Sequence, residues 1–404
     1  MNDPVASFER KLLFISLASM LFFGSIDALR SMVTPMMQAD LQLNYLQISA
    51  AFSLGSVGYL TGSFTGGLAV DRFGLKAVTL WGGVLIAAGL LLYMNVAAYF
   101  WFAAGFVIAG IGGGILEIGI NGAVPAVSRS ADDQARYFNW LHGFYGIGAT
   151  GLPLWSVWIL EHFNNWRSGF WLEISLLGCI LLFAVFFRYG HVTTKRQERR
   201  SDPVPISRAG GYPKLMSLLA AIMTYVMAEV GFATWLPSYV VQVSKLTLTE
   251  GAFCLSGFYL IFTLGRLSAH WWMNRIGQEK AVMISSTAAI VTLGIAMSGN
   301  RATLALFIVA GLCFSVIFPT IASIACHVYA DHAGKVLGYL FTASGIGAML
   351  GNGIIGLLAN HFGLKAGFSV ILFFLGCVLI CMWIVIRLNK SAVLAVNAGE
   401  RLER

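Results

Sequence analysis

The sequence predicts an all-α membrane protein of twelve transmembrane helices arranged in two pseudo-symmetric six-helix bundles. Three observations carry that expectation. Hydrophobic residues make up 58% of the 404-residue chain and charged residues 11%, whereas a soluble domain carries roughly 25% charged residues. Apolar runs of about 20 residues recur along the chain, each long enough to cross a bilayer core of about 30 Å. Short motifs in the first half return in register about 200 residues later.

The spans are expected near 11–37, 46–69, 77–95, 100–124, 138–160 and 168–188, then 214–241, 251–273, 280–298, 302–326, 335–358 and 366–388. The first run extends past the length of a signal-peptide core and lacks a small-residue cleavage site, so it reads as a span. The chain therefore divides into a bundle at 1–188, a polar linker at 189–213, a bundle at 214–388 and a tail at 389–404. The 45 glycines suit helices that approach one another closely.

Lysine and arginine placement sets the expected orientation. With both termini inside, 20 of the 26 basic residues fall on the cytoplasmic side and 4 on the other, with Arg30 and Arg266 inside helices. Such a bias predicts cytoplasmic N- and C-termini in a bacterial-type inner membrane. The net charge of +8 is thus a topology signal rather than the footprint of a nucleic-acid partner. Basic loops beside anionic lipid make membrane lipids expected partners. All six cysteines lie in apolar stretches, which argues against a disulfide framework or a metal site.

The repeats are specific. Gly146-Ile-Gly-Ala149 recurs as Gly345-Ile-Gly-Ala348, His162-Phe163 as His361-Phe362, and Asp71-Arg-Phe-Gly74 as Asn274-Arg-Ile-Gly277. Three matches at equivalent places indicate an internal duplication, the architecture of transporters that hold solute between two halves near the midplane.

Gly67-Leu-Ala-Val-Asp71-Arg72-Phe-Gly74-Leu-Lys76 between the second and third spans resembles the signature loop of the major facilitator superfamily. The resemblance covers essentially the whole chain. It implies a conformational latch made by Gly67, Asp71, Arg72, Gly74 and Lys76, with Arg275 in the repeated copy. Gly114-Ile-Leu-Glu117-Ile-Gly-Ile-Asn121, Phe138-Asn139-Trp-Leu-His142-Gly-Phe-Tyr145-Gly146 and Phe314-Ser-Val-Ile-Phe-Pro319-Thr320 are similar to segments of the fucose-permease branch of sugar/proton symporters. The fourth span lacks the arginine typical of drug/proton antiporters, and the fifth has only a loose glycine-proline pattern.

Ionisable groups at membrane depth are functional candidates by default. Glu117 sits between glycines with no cation nearby in sequence, an environment in which a carboxyl can carry a proton. The resemblance also implies a proton-coupling glutamate there. Asp27 and Arg30, three apart, form either a structural ion pair or part of the coupling machinery. Glu229 holds the equivalent place in the second half and is either a coupling group or a partner of Arg266. Glu173, nearer the outer end of the sixth span, is expected to have a structural or interfacial role.

Candidate substrate contacts are Asn121, Asn139, His142, Tyr145, Trp235, Tyr259 and Asn352, polar or aromatic side chains able to bind hydroxyls or stack on rings. His142 is equally a satisfied hydrogen-bonding group, and most aromatics on such helices pack or line the interface.

No phosphate-binding loop or hydrolase motif occurs. The expected function is proton-coupled movement of a small, sugar-like solute by symport, with no cofactor, in a monomer. Sodium coupling stays open. The rival is proton-driven export of an amphipathic compound such as a drug, siderophore or lipid-like molecule.

Overall fold

The computed structural model describes residues 4–402 except 96–97, 129, 164, 187–210, 299–300 and 330–331. Most of the expected linker lies outside the described residues, as do the side chains of Arg275 and of the tail beyond Asn389.

Among the described residues, ten stretches are long and apolar enough to cross a membrane. One of these, Tyr45–Asn95, has 51 residues, which would extend about 77 Å if straight. It breaks at Gly74, whose φ of 79° and ψ of 168° lie outside the helical region. Its two arms are α2 (45–73) and α3 (75–95). The other helices are α1 (Pro4–Asp40), α4 (Tyr99–Val127), α5 (Ala131–Phe163), α6 (Trp166–Phe186), α7 (Tyr212–Gln242), α8 (Leu248–Ile276) and α9 (Gln278–Ala296). Then come α10, in two pieces, Ala305–Ser315 and Ile317–Val328, α11 (Ala333–Phe362) and α12 (Leu364–Leu402). The expected tail continues α12 as helix to Leu402.

Glycine spacing explains how the first bundle closes. On α4, Gly110 and Gly114 point at the backbone of Gly55 and Tyr59 on α2, while Gly105 and Gly112 point at that of Gly89 and Gly82 on α3. A Cβ at any of these positions would collide with backbone, so the three helices pack at a distance only glycine permits.

The duplicated Gly-Ile-Gly-Ala motif has a matching role in each half. Its second glycine closes a contact within a half: Gly148 of α5 against Leu21 of α1, and Gly347 of α11 against Met223 of α7. Its first glycine faces the opposite half: Gly146 against Thr263 of α8, and Gly345 against Leu60 of α2. The turn glycines also match, with Gly74 at φ 79° and Gly277 at φ 87°, values an L side chain rarely adopts.

The halves meet along α1–α7, α2–α11 and α5–α8. Contact is tight at the end of the molecule marked by Asp40 and Tyr45. There the Tyr45 hydroxyl donates to Gln242 Oε1 at 2.5 Å, Gln242 Nε2 donates to Gln38 Oε1 at 3.4 Å, and Ser53 Oγ donates to the Met349 carbonyl at 2.8 Å. Gly356 of α11 packs on Ser49 of α2. At the other end, marked by Gly74, the seam parts. Gly67 lies two turns beyond Leu60 and Gly338 two turns before Gly345, yet a Cβ on either would meet nothing within 4 Å. Gly143 of α5 is equally clear. The central cavity therefore opens toward the Gly74 end.

Candidate functional site

The cavity floor is built from mid-helix polar residues of both halves. On α1, Arg30 Nη2 donates to Asp27 Oδ1 at 2.8 Å, the i,i+3 pairing that the spacing permits. Each side chain keeps 33% of its surface accessible although it lies in the middle of the bundle, because it faces the cavity. The Tyr145 hydroxyl of α5 donates to Asp27 Oδ2 at 3.2 Å. Tyr145 is also hydrogen-bonded to Tyr259 of α8, their rings edge-on at 6.3 Å, so this pair bridges the two halves.

Glu117 of α4 accepts a hydrogen bond from the Tyr59 hydroxyl of α2 and is hydrogen-bonded to Asn121 one turn on. Both partners are neutral. The close α2–α4 approach that places Tyr59 here is itself a product of glycine, since Gly114 rests on the Tyr59 backbone. The nearby charge is that of Asp27, which acts on Glu117 as a like charge.

In the second half, Arg266 Nη2 of α8 lies 3.7 Å from Glu229 Oε1 of α7, an ion pair longer than a hydrogen bond. What fixes the guanidinium is a break in α10. Pro319 has no N–H, so the Ser315 carbonyl four residues earlier has no helical donor. The helix is interrupted at Val316, and Arg266 Nε donates to that carbonyl at 3.2 Å. The Tyr225 hydroxyl donates to the neighbouring Phe314 carbonyl at 2.7 Å, with Glu229 beside it. The guanidinium also lies 4.2 Å from the centre of the Phe262 ring.

Of the sequence candidates, Asp27, Glu117, Asn121, Tyr145, Glu229 and Tyr259 converge on this floor. His142 and Asn139, on the same helix as Tyr145, are exposed toward the open end, with His142 within electrostatic range of Arg266. Trp235 lies elsewhere. It is fully buried beyond Glu229 toward the closed end, with Tyr45 and Phe52 of α2 at ring distances of 6.1 and 6.4 Å. Asn352 of α11 is also buried on that side, and its Oδ1 has no partner. The loop residues Asp71 and Arg72 are exposed at the open end, Arg72 lying over Phe73, and Lys76 Nζ donates to the Val185 carbonyl of α6 at 2.8 Å. Sequence reasoning missed Tyr59 and Tyr225. Each contacts a carboxylate that the sequence did single out, but nothing in the local pattern separates them from other tyrosines.

The chain is 21% identical over 360 residues to the Protein TsgA homolog of Erwinia tasmaniensis, covering 89% of this chain and 90% of that protein. In structure it is similar to a bacterial homologue of the human lysosomal transporter Spinster in an inward-facing, unoccupied conformation, with a TM-score of 0.74 at 12% identity, covering 97% of this chain and 99% of that one. It is also similar to FucP, the fucose:proton symporter of E. coli. Against FucP in the outward conformation the TM-score is 0.60 at 17% identity, covering 92% and 98% of the two chains. The Major Facilitator Superfamily model matches residues 15–298 and 246–402. With motif loop, paired bundles and central cavity in place, this chain belongs to the major facilitator superfamily.

Proposed function

We propose that this transporter moves a small, neutral, hydroxylated solute together with a proton, and that Glu117 carries the proton. The observation that carries the reading is the charge arrangement of the cavity floor. Asp27 is matched by Arg30 and Glu229 by Arg266, while Glu117 has only neutral partners among the described residues. With Glu117 protonated the floor is electrically balanced; with Glu117 ionised it carries one unmatched negative charge. Closing the cavity removes water from these groups, and enclosing an unmatched charge costs several kcal/mol. Protonation therefore permits the closed, occluded passage between states, which couples proton to solute.

Neutrality also selects the solute. A cation would find Glu117 and displace the proton, whereas an anion would have to take an arginine from its carboxylate. A polyhydroxylated molecule satisfies Asn121, Tyr145, Tyr259 and, nearer the mouth, Asn139 and His142 without disturbing either ion pair. FucP, a relative in fold, is described as a fucose:proton symporter.

On the basic-residue bias, the Gly74 end is cytoplasmic, so the cavity is open inward. The Asp71–Arg72 loop lies at the parted end. In this reading it holds the halves together in the opposite state, and Trp235, Tyr45 and Gln242 form the gate that is now shut.

The test is a thermal-shift screen of the purified protein against sugars, polyols and amphipathic cations, because a ligand of the native state raises its apparent stability. Stabilisation by a hydroxylated solute, lost in Asn121→Ala, supports the proposal. Stabilisation by amphipathic cations alone overturns it in favour of proton-driven export.

A further inference from the structure

At the closed end, the first bundle carries a charged pocket that the central cavity does not use. Asp40 ends α1 and Arg167 stands in the first turn of α6. Arg167 Nη1 donates to Asp40 Oδ2 at 2.7 Å, and Trp166 Nε1 donates to the same oxygen at 2.9 Å. Arg167 Nε donates to the Met94 carbonyl near the end of α3 at 2.7 Å, and the guanidinium lies 4.3 Å from the centre of the Trp166 ring. Its backbone N–H donates to Asn165 Oδ1 at 3.0 Å. The ends of three helices thus hold this ion pair in one geometry.

Each charge keeps an unused position. No hydrogen bond occupies Asp40 Oδ1 or Arg167 Nη2 among the described residues, and the two side chains keep 46% and 29% of their surface accessible. They border a cavity of about 600 Å³, whose other walls include Met36 and Ala39 of α1, Phe163 of α5 and Trp166. That size is ordinary for a small-molecule site. The pocket stands where α1, α3 and α5 end and α6 begins, which is the level of lipid headgroups. Phe163 is exposed, as are Trp155 and Trp158 earlier on α5. Exposed aromatic residues near the end of an apolar helix mark the boundary between lipid and water. The apolar wall therefore meets acyl chains while the ion pair meets heads.

Charge complementarity selects the head. An anionic group alone is repelled by Asp40, and a cationic group alone by Arg167. The complement of an adjacent carboxylate and guanidinium is a ligand with an adjacent anion and cation. We propose that this pocket binds phosphatidylethanolamine. Its ammonium donates to Asp40 Oδ1, its phosphate accepts from Arg167 Nη2, and the first carbons of its chains lie on Met36, Ala39 and Phe163. A primary ammonium has three N–H donors, whereas the quaternary nitrogen of choline has none, so ethanolamine is preferred. Gln38, which accepts from Gln242 of the other half at 3.4 Å, lies two residues before Asp40, so the lipid sits beside the closed seam. The site is independent of the solute and of the coupling proton.

The experiment is native mass spectrometry of the full chain, purified in detergent and given an equimolar mixture of phosphatidylethanolamine, phosphatidylcholine and phosphatidylglycerol with identical chains. Retention is expected in that order, and any other order overturns the proposal. Asp40→Asn leaves an oxygen for Trp166 and Arg167 but removes the charge that repels anionic heads, so it should place phosphatidylglycerol ahead of phosphatidylethanolamine. Ala39→Phe fills the pocket from an exposed position and touches neither charge. It should lower phosphatidylethanolamine retention about tenfold with the melting temperature unchanged. An order unaltered in Asp40→Asn, or lipid still retained in Ala39→Phe, overturns the proposal. Glycerophosphoethanolamine, the same head without chains, should not displace the lipid; displacement would overturn a lipid site in favour of a soluble zwitterion.

Discussion

Arg266 is fixed by Ser315. The guanidinium Nε donates to a backbone carbonyl that Pro319 leaves without its helical partner, and the same side chain reaches Glu229 at 3.7 Å. A proline in α10 thus determines where a positive charge sits on the cavity floor. Pro319→Ala restores an N–H that competes for the Ser315 carbonyl. It should leave thermal stability unchanged or slightly raised while weakening solute binding about tenfold, about 1.4 kcal/mol. Melting and binding measured on the same preparation separate the two effects; equal loss of both would mean that the break is only structural.

Arg266→Lys should fail to replace the arginine. A lysine ammonium is a point charge and lacks the planar fork that serves Glu229 and the Ser315 carbonyl together. Binding should fall about tenfold or more, with the melting temperature lowered, whereas retention of wild-type affinity in titration calorimetry would show that charge alone suffices.

Glu117→Gln fixes the neutral form of the side chain. Uphill accumulation driven by a pH gradient should fall to background in proteoliposomes. Exchange of labelled for unlabelled solute across the same membrane should continue, since a permanently neutral floor can still close. Accumulation that survives the substitution would remove Glu117 from the coupling role.

Tyr59→Phe removes the hydroxyl that donates to Glu117 without changing the packing of the ring. The loss of one hydrogen bond at a buried acid costs about 1–3 kcal/mol, read as a lower melting temperature in detergent. Phe substitution at Tyr99, whose hydroxyl donates to the Gln47 carbonyl near the helix ends, should cost less.

Ser53→Cys with Gly353→Cys in a cysteine-free background should cross-link readily, because a Cβ on Gly353 of α11 would stand 3.2 Å from the Ser53 hydroxyl oxygen at the closed end, a spacing that a disulfide can span. Gly67→Cys with Gly338→Cys should not cross-link until the halves rock. The first disulfide should stop transport and reductant should restore it; efficient cross-linking of the second pair in the resting protein would contradict an opening at the Gly74 end.

The sequence by itself determined the helices, their duplication and the residues worth suspecting. Long apolar runs have one solution in a bilayer, and a carboxyl such as Glu117 stands out on an apolar helix because membrane depth makes it expensive. The Asp27–Arg30 pair was legible for the same reason and because three residues is a local spacing. The tertiary structure decided what lies across the gaps. Tyr59 reaches Glu117 from a helix 58 residues away, through a glycine-lined approach that no local pattern announces. The choice of Arg266 over solvent or solute as the partner of Glu229 depends on the α10 break. Which end of the cavity is open is also a tertiary matter. Leu60 meets Gly345 while Gly67 stands clear of Gly338 on the same two helices. One sequence must encode both arrangements, so only the relative rotation of the two halves tells them apart.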